Sequence, residues 1–255
     1  MHRDILITGG GIVGSTLALA LSQAGFEVTL VDALPKATRR KKGFDGRSYA
    51  MALATTRMLR ALGLWDALGP DAQPINAIKV SDGRAGQAPS PFFMHFDHQE
   101  IGDDPMGYMV EDRHARVALL NAEQEARTFE HLAKVRVLSQ SIEPGRATIH
   151  LDNGQSLTAP LLIGCDGRGS GTAERAGISR IGWPYGQTSL VCALKVGKPH
   201  GGTAHQLFLP EGPLAILPLT EDRVGVVWTE REGRAAEIAG LGDADYLEVL
   251  RPRFG

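Results

Sequence analysis

Apolar residues follow two rhythms along this chain. Near the start, Ile5-Leu6-Ile7 is a short continuous run, the pattern of a parallel strand buried on both faces. Leu17, Leu19, Ala20 and Leu21 continue at helical density and stop at Gly25, a residue suited to a helix C-terminus. Val28, Leu30 and Val31 then form a second strand that closes on Asp32. The spacing predicts a β-α-β unit. Further on, Met51, Met58, Leu59 and Leu62 predict a helix from Ser48 to Leu62, capped by Ser48 and stopped by Gly63, with Leu64, Trp65 and Leu68 packing a short turn behind it. Arg113 to Glu130 reads as another helix, with Val117, Leu120 and Phe129 on its buried face, followed by a strand from Val135 to Leu138.

Elsewhere the alternation is that of strands. Ile75 to Ser81 and Phe92 to Phe96 flank an Asp82-Gly83 turn, and Gly107 to Glu111 returns as a strand. Ala147 to Leu151 and Gln155 to Thr158 form a hairpin around Asn153-Gly154. Leu161-Leu162-Ile163-Gly164-Cys165 is an apolar strand, read as buried and parallel, that ends in Asp166-Gly167 and leads to a short helix closing near Gly177. Ser189 to Val196, Ala204 to Leu209, Leu214 to Leu219 and Val224 to Thr229 follow, with turns at Gly212-Pro213 and Glu221-Asp222, and Asp243 to Leu250 begins a helix. Four strands joined by reverse turns predict a mostly antiparallel sheet.

Gly9, Gly11 and Gly14 spell G-x-G-x-x-G between the first strand and its helix. In that setting Gly9 permits the tight turn, Gly11 lets a pyrophosphate approach the backbone, and Gly14 lets helix and strand pack closely. The helix N-terminus, at Ile12 and Val13, offers free N–H groups to phosphate. Asp32 stands where a carboxylate accepts from both ribose hydroxyls, which favours FAD or NAD over NADP. Asp166, at the end of another strand, falls on the ligand edge of such a sheet. Ser170 is not a nucleophile elbow, because Arg168 stands where that motif needs glycine. His95 and His98 point to opposite faces of a strand and so do not share a metal; no metal site is expected. Arg39, Arg40, Lys41 and Lys42 read as a solvated loop rather than an anion patch.

Composition adds limits. A chain of 255 residues with 43% hydrophobic and 22% charged residues is ordinary for one large or two modest domains. The formal charge of −2 gives no argument for nucleic acid. Two cysteines, Cys165 and Cys192, sit in apolar runs and read as buried thiols of a reducing compartment. With neither a signal segment nor a membrane-length apolar run, a cytoplasmic protein is expected. Peripheral association with the inner membrane or with partner enzymes is left open.

Five stretches together resemble the flavin-dependent aromatic hydroxylases of the p-hydroxybenzoate hydroxylase type, and within them the polyprenyl-phenol hydroxylases of ubiquinone biosynthesis. They are GGGIVG at Gly9–Gly14, DGRSYAM at Asp45–Met51 with LRALGLWDAL at Leu59–Leu68, MGYMVEDR at Met106–Arg113, GCDGRGS at Gly164–Ser170, and WPYGQTSLV, GPLAILPL and VVWT further on. The resemblance implies an α/β fold, with a Rossmann-like FAD-binding domain (1–73 and 107–180) interleaved with a mostly antiparallel β-sheet substrate domain (74–106 and 181–255). It implies that the first motif, including Ile12 and Val13, holds the FAD pyrophosphate and that Asp32 holds the ribose. Arg47 is then near the flavin, Arg113 near the adenosine side, and Asp166-Gly167 supports the cofactor site. NAD(P)H would be the reductant, and O2 would supply the oxygen placed on a phenolic, prenylated ring. No catalytic side chain is assigned, since a flavin carries such chemistry itself.

Two departures stand out. The family's Asp-Gly motif runs on to an arginine where this chain has Ala173, with Arg175 two residues later. The family's second flavin motif and its final helix have no counterpart, so the chain resembles the first two-thirds of such an enzyme. Phe208, Leu214, Ile216, Leu217 and Trp228 are candidate walls of the substrate pocket, with simple core packing the other reading. Other functions stay open: a prenyl-lipid reductase of the same architecture, a nicotinamide dehydrogenase, or a nucleotide-binding fragment without chemistry.

Overall fold

The structure, a computed structural model, describes residues 3–41, 43–88 and 90–254. Its elements run β1 (Ile5–Thr8), α1 (Ile12–Gln23), β2 (Val28–Asp32), α2 (Lys36–Arg39), β3 (Ser48–Ala52), α3 (Leu53–Ala61), α4 (Trp65–Leu68), β4 (Gln73–Ile75), β5 (Ala77–Asp82), β6 (Met94–Asp97) and β7 (Gly107–Glu111). They continue with α5 (Asp112–Glu125), β8 (Phe129–Ala133), β9 (Val137–Glu143), β10 (Arg146–Leu151), β11 (Ser156–Ala159), β12 (Leu161–Gly164) and α6 (Gly171–Arg175). Last come β13 (Gln187–Lys195), β14 (Thr203–Leu209), β15 (Gly212–Leu219), β16 (Arg223–Arg231), α7 (Glu232–Ala239) and α8 (Asp243–Leu250). Two compact units result: Met1–Gly43, Leu59–Leu68 and Arg113–Ile181 in one, and Phe44–Met58, Gly69–Asp112 and Gly182–Gly255 in the other. Residues 44–58, 69–73 and 107–112, grouped with the nucleotide-binding part in the sequence reading, thus belong to the second unit.

The first unit is built on a parallel sheet of order β12-β1-β2-β8. Its two faces are both covered, which is why β1 and β2 are buried along their whole length. Ile5, Ile7, Val28 and Leu30 pack with Ala18 of α1. Leu6 and Val31 turn the other way, onto Ile149, Leu151 and Leu157 of a three-stranded antiparallel sheet, β11-β10-β9. The Asn153-Gly154 hairpin lies in this sheet, with Gly154 at φ +85°. The apolar strand β12 is an edge strand, and Leu161 is exposed. The expected helix of Arg113 to Glu130 ends at Glu125, because Phe129–Ala133 leaves it to pair with β2 as β8.

The second unit carries a six-stranded sheet, β13-β16-β15-β14-β5-β6, antiparallel except where β14 meets β5. Thr220, Glu221 and Asp222 turn β15 into β16, with φ values of 62° and 52° at Glu221 and Asp222. Gly212-Pro213, expected as a turn, lies inside β15; Pro210 and Glu211 make the turn instead. Asp82-Gly83 is not a two-residue hairpin either, since β6 begins only at Met94. Ser48 caps no helix: it pairs with Glu111 as β3 joins the small antiparallel sheet β3-β7-β4. The α7 helix has no forecast in the apolar pattern.

Strand alternation splits the proposed pocket wall. Leu214, Ile216 and Trp228 pack under α7 and α8 with Ile238 and Leu250, whereas Leu217 turns to the opposite cluster with Ile75 and Met109. Trp228 is fully buried. Its Nε1 donates to Glu230 at 3.1 Å, and the Arg253 guanidinium lies 4.8 Å above its ring. Trp228→Ala removes the largest side chain of this core and leaves Glu230 without one donor. Equilibrium denaturation should show a loss of about 3–5 kcal/mol, the usual cost of truncating a buried aromatic; a loss below about 1 kcal/mol would contradict this packing.

Candidate functional site

A cleft of about 440 Å³ opens in the first unit at the C-terminal ends of β1, β2 and β12. That edge is where open α/β sheets bind ligands. Its lining brings together Gly9, Gly11, Asp32, Asp166 and Gly167, with Arg39, Arg136 and Arg175 adding positive charge.

Steric demands explain the glycines. Gly9 has φ +96°, and a Cβ there would lie 2.3 Å from the Cys165 carbonyl oxygen. A Cβ on Gly14 would lie 1.9 Å from the Gly9 carbonyl oxygen. Both contacts are impossible for any other residue without moving backbone. Gly11 differs: nothing lies within 4 Å of its missing Cβ. The open space there, over the N-terminus of α1, is room for a ligand rather than a packing need. No side chain caps α1, and its first turn has no acid, so its N–H groups suit phosphate. Ile12 and Val13 form that turn, and Val13 is exposed.

Asp32 is almost buried. Its Oδ1 accepts from the Leu34 N–H at 3.2 Å, and its Oδ2 accepts from Arg39 Nε. The cationic run is therefore not simply a solvated loop. Lys36–Arg39 is a helical turn, and the Arg39 side chain is largely covered, because its guanidinium neutralises a buried carboxylate. Lys42 lies outside the described residues.

Asp166 spends its carboxylate locally. It accepts from Ser170 Oγ, and from the N–H and hydroxyl of Thr172, both at 2.9 Å. Thr172 in turn meets Thr8 at the end of β1 at 2.7 Å. Asp166 thus fixes the start of α6 against the sheet, and Arg175 of α6 enters the cleft lining. Burial works to raise the Asp166 pKa, but the Ser170 and Thr172 hydrogen bonds outweigh it and hold the group below its ordinary value.

Neither Arg47 nor Arg113 lines this cleft. Arg47 lies in the second unit, bonded to Asp45 at 2.7 Å and to Asp112 at 3.1 Å. The Asp45 hydrogen bond raises its pKa further. Arg113 is in the first turn of α5. His95 is on β6 and His98 in the turn after it. A larger cavity of about 620 Å³ lies in the second unit, lined by Lys79, His205, Leu214 and Phe254 among others. It gathers none of the candidate cofactor residues, but Leu214 and Ile216 of the candidate pocket wall line it. Burial first, and then Lys79, lowers the pKa of His205 within it.

The family described as FAD binding domain matches residues 2–229. The chain belongs to that family. The glycine cradle, the open space over Gly11 and the acid at Asp32 fit the ADP half of FAD. The chain is 41% identical over 254 residues to ubiquinone hydroxylase UbiL of Rhodospirillum rubrum, covering 99% of the chain and 57% of that protein. It is 28% identical to 3-demethoxyubiquinol 3-hydroxylase of Escherichia coli, over 98% of the chain and 63% of that enzyme. It thus spans about three-fifths of the length of these relatives. Among solved structures, PqsL, a probable FAD-dependent monooxygenase from Pseudomonas aeruginosa, superposes with a TM-score of 0.78 at 19% identity, over 99% of the chain and 67% of PqsL. p-Nitrophenol 4-monooxygenase PnpA from Pseudomonas putida gives 0.73 at 18%, over 99% and 62%. At such identities the likeness is one of fold.

Sequence reading missed Arg39 as the partner of Asp32, and it missed Glu123 and His131 beneath the cleft. Phe129–Ala133 carries no apolar alternation, so no local signal exposed β8.

The lowered pKa of Asp166 makes its hydrogen bonds a source of stability above the ordinary value of 3.8, lost as pH falls through the folded-state value. Asp166→Asn should therefore flatten the stability-against-pH curve below about pH 4. Denaturation at stepped pH reads this, and an unchanged curve refutes the assignment.

Proposed function

We propose that the first unit holds the ADP half of FAD and that the whole protein is an FAD-dependent monooxygenase of ubiquinone biosynthesis, hydroxylating a phenolic, prenylated ring. The observation that carries the reading is the meeting of the G-x-G-x-x-G loop, Asp32 and Asp166-Gly167 around one cleft. The names of the relatives support the reaction class.

In this reading Gly9, Gly11, Ile12, Val13 and Gly14 form the pyrophosphate loop: Gly9 makes the turn, its own N–H donating to the Val31 carbonyl at 2.8 Å, the N–H groups of Gly11, Ile12, Val13 and Gly14 are left for the phosphates, and Arg175 adds charge from α6. Asp32 accepts from the ribose hydroxyls. An ionised carboxylate offers about four acceptor sites; Leu34 and Arg39 take one each, which leaves two for the ribose diol. Gly167 lets the chain turn close to the cofactor, with φ +84°. Arg47 and Arg113 are assigned to the flavin and adenosine sides on their motifs alone. Bound FAD, reduced by NAD(P)H, would supply the oxygen-activating chemistry. The protein's share is to bind and orient the ring and to exclude water. Leu214 and Ile216, which line the cavity of the second unit, remain candidates for the substrate wall with Phe208 and Leu217; Trp228 is fully buried core. Among the described residues no helix is long and apolar enough to cross a membrane, and association at a membrane surface or with other enzymes of the route is part of the proposal only as a setting.

The purified protein, mixed with FAD and freed of excess, should retain a flavin spectrum and oxidise NAD(P)H faster when a prenylated phenol and O2 are supplied. Asp32→Ala should weaken FAD binding by about tenfold or more, on the scale of losing hydrogen bonds to a charged group. Unchanged FAD affinity would remove Asp32 from the site, and oxidation without phenol stimulation would count against the hydroxylase reading.

A further inference from the structure

Behind the cleft, the first unit buries three polar side chains that the proposed reaction does not use. Ser15 is in the first turn of α1, Glu123 near the end of α5, and His131 in the middle of β8. Ser15 Oγ donates to Glu123 Oε1 at 2.8 Å and lies 3.4 Å from the Gly10 carbonyl oxygen. Glu123 Oε2 meets His131 Nδ1 at 2.7 Å. His131 Nε2 is buried without a hydrogen-bond partner, and it faces Asp32 Oδ2 at 4.0 Å. The Glu123 and His131 side chains are each 2% exposed, and that of Asp32 is 5% exposed.

The chemistry of the donors restricts the ring. A carboxylate only accepts, so Nδ1 carries the hydrogen it gives to Glu123. A neutral ring would then aim the Nε2 lone pair at the Asp32 carboxylate. A ring carrying hydrogen on both nitrogens instead presents N–H to each acid. At 4.0 Å the Asp32 contact is ionic attraction rather than a hydrogen bond.

We propose that Ser15, Glu123 and His131 form a buried relay in which His131, protonated on both ring nitrogens, holds Asp32 as an anion in position for the ribose and ties it to the glycine loop. The relay spans both contact points of the ADP half: Ser15 belongs to the first turn of α1, which the glycine loop opens, and His131 reaches Asp32. These are positioning residues that act through Asp32, and the inference rests on the reading of the cleft as the ADP site. Ionisable groups facing the ring are Glu123 from α5 and Asp32 from β2, with Arg39 of α2 behind Asp32. Arg116, two turns earlier on α5, reaches the Thr38 carbonyl, and Glu130, the preceding residue on β8, bonds instead to Thr29 and Arg3.

The test combines nitrogen NMR of the histidine rings in the purified protein with FAD binding followed by flavin fluorescence between pH 6.5 and 9. His131 should show both ring nitrogens protonated at pH 6.5, and FAD affinity should fall as pH rises. His131→Gln and Glu123→Gln should bind FAD about tenfold more weakly at pH 6.5, the scale of coupling within one hydrogen-bond network, and should lose most of the pH response. A singly protonated ring overturns the proposal in the wild-type protein, whether or not the variants fold. Wild-type affinity and pH response in His131→Gln overturn it too, provided that Asp32→Asn does weaken binding. If Asp32→Asn leaves binding unchanged, the reading of the cleft falls and the relay with it.

Discussion

Two backbones meet at Gly9 with no room for a side chain. The Gly9 Cα faces the Cys165 carbonyl, and the Gly9 carbonyl occupies the place of a Gly14 Cβ. This three-way closeness joins the end of β1, the start of α1 and the turn after β12. The cleft is the space left above the junction, and its floor consists of backbone because side chains are excluded there. Backbone N–H groups are consequently the natural ligands it offers, which suits an anion of several oxygens better than an apolar guest.

Much of this arrangement could be read directly from the residues. The β-α-β unit, Asp32, the Asn153-Gly154 hairpin and the late antiparallel strands rest on local rules: a period, a turn type or a glycine that only one backbone conformation explains. The errors have a common source. β3 and β8 are short strands whose partners, β7 and β2, lie far away in sequence, so helical neighbours absorbed them. β12 is as apolar as β1 but has a partner on one side only, and apolar content does not distinguish an edge from a centre. Gly212 looked like a turn yet sits in a strand, because its Cβ would meet Thr229 of β16.

The site was legible where chemistry depends on backbone and obscure where it depends on side chains brought from afar. Gly9, Gly11, Gly14 and Asp32 announce themselves by spacing. Arg39, Glu123 and His131 do not, because each is defined by a partner on another element. Asp166 shows the intermediate case. Its position at the end of β12 was readable, but its carboxylate serves α6 through Ser170 and Thr172, and no spacing rule separates a cofactor contact from a helix anchor.

The order of the strands also has a consequence in time. β1 lies between β2 and β12, and Ile5 pairs with Leu161. During synthesis at roughly 5–20 residues per second, the first β-α-β segment emerges early and then waits on the order of ten seconds for its other neighbour. Throughout that interval one long side of β1, with Leu6 and Ile7, is an unpaired apolar template. A ribosome-associated chaperone would shield it; a pause in translation before residue 161 would prolong the exposure and favour aggregation of the nascent chain.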